Sequence, residues 1–242
     1  MRPPEGHHAA EFLKKFLDWH LSAGHSHPDA NSFIIWANGA YLTGDSGYAG
    51  VPKTEQHNTV LVDGKGQGRE GSGHDPWAGV SYADLDRVRI AEVQLTPTMA
   101  HVRGEAEGAY DTSLGLTRFT RHLLFVAPGS FYVWDDLKSD QPRTFTFLLH
   151  SDTTIQCDAH RFEIANGGAQ LLVNLSTPEN AKAVIEKNLV TAPGPPGAVD
   201  KGEIQSRGER IAASTGHPAT TATFFTEMTL NGAKAASQTQ AH

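Results

Sequence analysis

The residues most able to do chemistry are crowded near the start of the chain. Of thirteen histidines, seven fall within the first 74 residues: His7, His8, His20, His25, His27, His57 and His74. His25 and His27, in GHSHPDANSF, are two apart, so on an extended strand they share one face and one centre. Asp29 continues that alternation, and Pro28 excludes a helix there. Asp45 lies between glycines in GAYLTGDSGYAG, and His57 enters the β-forming stretch HNTVLVDG. Singly, each has a plain structural reading: a capping histidine, an Asp-Ser-Gly turn, a histidine bonding backbone. Together, His27, Asp45 and His57 form a two-imidazole, one-carboxylate set that suits tetrahedral zinc and leaves a fourth position for water or substrate.

Around that set, Gln67 and Glu70 follow the strand after His57 and could hydrogen-bond a ligand. His74 and Asp75 lie in a glycine-rich loop that reads as solvated. Arg118 could hold an anion, as could Arg121, although arginine on a sandwich strand more often faces solvent. His150, at a strand end, reads as structural. A metal with three protein ligands polarises a carbonyl or phosphoryl oxygen, so hydrolysis of an ester or phosphoester is the simplest expected activity, with His25 as a neighbouring base and Tyr48 as a second catalytic candidate.

The elements that must position these residues are strands. One N-terminal helix is predicted over 9–22, where Phe12, Leu13, Phe16 and Leu17 recur at helical spacing. After Gly24 come short β-forming runs between Gly, Pro, Asn and Asp turns: SFIIWA, AYLTGD, NTVLVDG, VSYADL, RVRIAEVQL, MAHVRGEA, LGLTRFTRHLLFV, SFYVWDDL, RTFTFLLHS, FEIANG, AQLLVNLS and ATTATFFTEMTL. Phe145 and Phe147 share one face, as do Val88 and Ile90. With no βαβ rhythm and no repeat, the expectation is an all-β antiparallel sandwich over residues 1–231, followed by a disordered tail over 232–242. TAPGPPGAVDKGE (191–203) reads as a proline-rich surface loop.

With 242 residues, the chain can bury a core without disulfides, and its single cysteine, Cys157, allows none within the chain. The formal charge of -7, from 27 acidic and 20 basic residues, argues against nucleic acid as a partner. No apolar run reaches the ~20 residues of a membrane helix, and the N-terminus lacks the pattern of a signal peptide, so the expected location is cytoplasmic.

The run HSHPDANSF…GDSGY…HNTVLVDGKGQ, followed by VRGEAEGAY, RFTRHLLFV and FYVWDDL with its later LLH, resembles the C-terminal β-sandwich of heparinase II/III-like polysaccharide lyases. The likeness is good over residues 20–150 and loose beyond. It implies that His27, Asp45 and His57 are zinc ligands, and that His25 lies beside the bound uronic sugar and takes part in catalysis. In that family a helical toroid precedes the sandwich and supplies the catalytic tyrosine. This chain opens near the sandwich boundary, so the expectation is a sandwich without its toroid. Its partners would be a small ester or an acidic carbohydrate, and the uncovered surface would allow homo-oligomers. Two other functions remain open: the sandwich component of a uronate-polysaccharide lyase, and a non-catalytic carbohydrate-binding module in which zinc only ties strands together.

Overall fold

The computed structural model describes residues 26–45, 52–68, 76–77, 80–158, 161–176, 178, 181–191 and 204–231. The helix predicted over 9–22, the proline-rich stretch at 192–203 and the tail at 232–242 lie outside them.

Among the described residues, fourteen antiparallel strands make three sheets. A two-stranded hairpin joins β1 (Trp36–Ala37) to β2 (Ala40–Tyr41). The eight-stranded sheet contains β4 (Arg89–Leu95), β5 (Met99–Glu105), β6 (Leu116–Val126), β7 (Ser130–Arg143), β9 (Ile155–Asp158), β10 (Arg161–Asn166), β11 (Ala169–Ser176) and β14 (Ala219–Leu230). Its order is β4-β5-β6-β7-β14-β11-β10-β9. The four-stranded sheet contains β3 (Val60–Val62), β8 (Phe145–Ser151), β12 (Lys182–Thr191) and β13 (Ile204–Ser214), in the order β12-β13-β8-β3.

The two larger sheets bury their facing sides against each other. Phe119, Val133, Leu137, Phe224 and Met228 come from one, and Val60, Val62, Phe145, Phe147 and Ile211 from the other. Phe147 stacks on Phe224 across the interface, with ring centroids 6.1 Å apart. The alternation that pairs Phe145 with Phe147 therefore marks the core, since both are fully buried. Alternation fails as a guide in β4. Ile90, Val93 and Leu95 are exposed because β4 is the outer strand of its sheet. A bulge between Ile90 and Glu92 interrupts its pairing with β5.

Three predicted strands change. SFIIWA and AYLTGD shrink to the two residues each of β1 and β2, joined by Asn38 (φ 52) and Gly39 (φ 83), the left-handed pair of a tight hairpin. VSYADL is not a strand: Tyr82–Leu85 is one helical turn. Ser81 Oγ accepts the Asp84 backbone N–H at 3.2 Å and donates to the Asp84 carboxylate at 2.6 Å, a local capping exchange that outcompetes strand pairing. The structure adds β9, β12 and β13, which the sequence pattern did not mark.

Candidate metal centre

His27, Asp45 and His57 lie on three separate stretches of irregular chain at one end of the sandwich. One ligand atom from each falls within 4.8 Å of the others. His57 ends a single 3₁₀ turn over Thr54–Gln56, where its N–H bonds the Thr54 carbonyl at 3.1 Å, and β3 begins three residues later. Asp45 follows Gly44, whose backbone packs so closely that a Cβ there would sit 2.7 Å from the Asp152 carboxylate. The Gly44 N–H is fixed by the His150 carbonyl at 2.7 Å.

His57 is fully buried, with Nδ1 2.9 Å from Asp45 Oδ2 and its ring 5.2 Å from that of His27. When Nδ1 donates to the carboxylate, Nε2 carries the lone pair. That Nε2 is buried and has no hydrogen-bond partner among the described residues. That nitrogen faces away from Asp45, so the atom able to share an ion with the carboxylate is Nδ1, whose proton the metal would replace. Zinc bonds of ~2.0–2.2 Å place tetrahedral ligand atoms ~3.4 Å apart, so side-chain shifts of about an ångström would close this set on an ion. The donor set therefore fits zinc. Asp29, beside the set, has its carboxyl pushed above the usual range by desolvation, to which the Asp45 charge adds; His57 and His27 oppose the shift. A cleft of about 410 Å³ opens beside His27, walled by Asp29, Trp77, Leu85, Arg89 and Glu105.

The other expected site residues fare differently. His25, Tyr48, Glu70, His74 and Asp75, with His7 and His8, lie outside the described residues. Gln67 is fully buried, and ligand contact gives way to a structural task. Its amide accepts from the Ala30 N–H at 2.8 Å and donates to the Ala30 carbonyl at 2.9 Å. It thereby pins the segment that carries His27. The tight turn at Asp63 (φ 52) and Gly64 (φ 71) brings the chain back so that Gln67 can reach Ala30. Arg118 does not face the centre either. It is exposed on the outer side of β6, paired with Asp136 at 2.9 Å.

Arg121 reverses the expectation that strand arginines face solvent. It is 1 % exposed, bound through Nε and Nη2 to both oxygens of the buried Asp135, at 2.6 and 2.7 Å. Phe33, Phe119 and Phe147 present their rings to its guanidinium at 5.5–5.6 Å. His150 is structural, as read: buried, with Nε2 3.0 Å from the Glu55 carbonyl, it is held far down the histidine range, at about 3, chiefly by burial. Tyr110, whose pKa burial raises, keeps its phenol proton and donates it to the Val60 carbonyl. Sequence reasoning missed Asn58, Asp135 and Tyr110. Only the Asn that follows His57 stood next to a marked residue.

Several solved structures share this fold. A heparinase III gene product with methylated lysines superposes with TM-score 0.63 at 17% identity, covering 88% of this chain and 31% of that one. The heparan sulfate lyase HepC of Pedobacter heparinus gives TM-score 0.62 at 16% identity, over 87% and 32%. A further heparinase III structure gives TM-score 0.62 at 14% identity. The chain thus spans about a third of the length of these structures. The model of one family, "Heparinase II/III-like, C-terminal", matches residues 19–224, a stretch that holds all three converging side chains and both large sheets except the end of β14, and the chain belongs to that family.

Proposed function

We propose that this chain is the metal-bearing sandwich of a lyase that cleaves a uronate-containing polysaccharide, with His27, Asp45 and His57 holding zinc. The observation that supports the reading best is the convergence of one ligand atom each from His27, Asp45 and His57, all within 4.8 Å of one another. Family membership and the names of the similar structures, heparinase III and a heparan sulfate lyase, supply the substrate class. When bound, zinc would supply a fixed positive charge and tie three otherwise irregular segments together.

The chain's own residues do the remaining work. Elimination needs a base at the sugar C5 proton and an acid at the leaving oxygen. His25, two residues before the ligand His27, is the group proposed to act next to the sugar, with Tyr48 as the second candidate. The cleft beside His27 carries Arg89 at its rim, a cation suited to a carboxylate or sulfate, and Arg89 is balanced by Glu105 at 2.8 Å.

The test pairs metal analysis with two assays. Protein purified without added metal should hold about one zinc per chain, and His27→Ala, Asp45→Ala and His57→Ala should each lose it. In the full-length protein that carries this chain, incubation with heparan sulfate and other uronate polymers should give unsaturated uronate, and His25→Ala should suppress that product while keeping zinc. Zinc-dependent hydrolysis of simple carboxyl or phosphate esters, without unsaturated product, would instead favour a hydrolase on the same three ligands.

A further inference from the structure

His27, Asp45 and His57 come from segments with no shared secondary structure, so something else must set their mutual distances. One side chain touches all three segments. Asn58 is fully buried. Its Nδ2 donates to the Phe33 carbonyl at 2.8 Å, on the segment that follows His27, and to the Gly44 carbonyl at 2.9 Å, one residue before Asp45. Asn58 itself follows His57. Its Oδ1 accepts the His150 backbone N–H at 2.7 Å, anchoring the group to β8. The amide's orientation is unambiguous, because the nitrogen faces two carbonyls and the oxygen faces an N–H.

Arg121 locks the same junction from behind. Its Nη1 donates to the Asn58 carbonyl at 2.6 Å and also to the carbonyl of Asn31, four residues after His27. Asp135 occupies the Nε–Nη2 edge of the guanidinium. These bonds link the segments around His27, Asp45 and His57 to β6, β7 and β8, so a shift in any one strains the others.

We infer that Asn58, backed by Arg121 and Asp135, is the positioning residue of the metal centre. It does not touch the ion; it fixes the three ligand-bearing segments at the spacing that the ion requires. The inference rests on the metal reading above and deepens it: part of the affinity of the site resides in this amide behind the ligands. Polar groups one layer behind a metal typically change affinity ~10–100-fold when removed.

The test is a cobalt(II) and zinc titration of the full chain. Zinc Kd is read by competition with a chromophoric chelator, and geometry from the visible ligand-field bands of the cobalt form. Asn58→Ser removes the reach to Phe33 and Gly44. Asn58→Asp keeps the volume and the acceptor but sets an oxygen against both carbonyls, and it serves where the serine variant folds poorly. Ile164→Val, a core truncation on β10, controls for general loosening. Both Asn58 variants should weaken zinc ~10–100-fold and alter the cobalt bands, while Ile164→Val leaves both unchanged. Tight metal binding by the wild type, with unchanged Kd and spectrum in folded Asn58 variants, would overturn the positioning role alone. A wild type that binds neither metal would overturn the metal reading and this inference with it.

Discussion

Two histidine pairs lie at nearly the same separation in this molecule. The rings of His27 and His57 are 5.2 Å apart, and those of His101 and His122, on the outer face of the large sheet, are 5.3 Å apart. The first pair has a carboxylate at 2.9 Å and a buried nitrogen without a partner. In the second, His101 Nε2 and His122 Nδ1 meet each other at 3.0 Å, and His122 stacks on the exposed Trp134. Burial, the facing His101 and the nearby Arg103 hold the His122 pKa below the usual range. Two imidazoles at ligand distance do not make a metal site. A carboxylate within hydrogen-bond reach and a rigid backing are what separate the two regions, and only the first of them is a candidate metal centre.

The sharpest way to test that contrast is through two arginines on one strand. Arg121→Ala strands the buried Asp135 carboxylate and should cost ~3–5 kcal/mol in urea unfolding. Arg118→Ala, which breaks an exposed pair with Asp136, should cost ~0–1 kcal/mol. Equal losses would mean that the buried knot contributes no more than the surface.

Metal dependence should separate the histidine pairs. With free zinc at about a hundredfold above Kd, wild type should gain ~2.7 kcal/mol over its chelated form. That increment should vanish in His57→Ala and survive in His122→Ala, read as the shift in melting temperature on adding chelator. Survival in both would remove His57 from the centre.

Acid should act through the buried region next. His150 is held neutral, its pKa lowered from 6.5 to about 3. The unfolded chain takes up that proton below about pH 6.5, whereas the folded chain resists it until near pH 3. The stability tied to this group is therefore full above pH 6.5 and declines as pH falls from there toward 3. His150→Gln should flatten the decline in unfolding midpoint between pH 7 and 4.5. The smallest expected effect is that of His101→Ala, within about 0.5 kcal/mol, as for a surface substitution.

Much of the fold is legible in the sequence because sheet burial follows a period of two: Phe145 and Phe147 announce β8, and the β6–β7 pair reads as two long apolar-rich runs. β12 and β13 were missed because charges punctuate KAVIEKNLVT and IQSRGERIAAS, and Gly208 interrupts the second. The three ligand candidates could be picked out only by residue type together with the family resemblance, since many other histidines and carboxylates of the chain would suit zinc as well. Their support could not. Arg121 shares the inward face of β6 with Phe119, so alternation places it in the core, but a lone arginine reads as solvent-facing until its buried partner Asp135 is known. The role of Asn58 depends on carbonyls of Phe33 and Gly44, and backbone groups leave no mark in a sequence.

The irregular outer strand β4 has a consequence for how the molecule behaves in company. Its edge, unpaired among the described residues, and its exposed Ile90, Val93 and Leu95 offer a template on which a second chain could hydrogen-bond. The bulge between Ile90 and Glu92 divides that template into Arg89–Ile90 on one side and Glu92–Leu95 on the other. A straight incoming strand cannot match both stretches in a single register. Growth of a ladder along this edge therefore stalls after a few residues, and the same kink that spoils the strand's pattern acts as a brake on polymerisation.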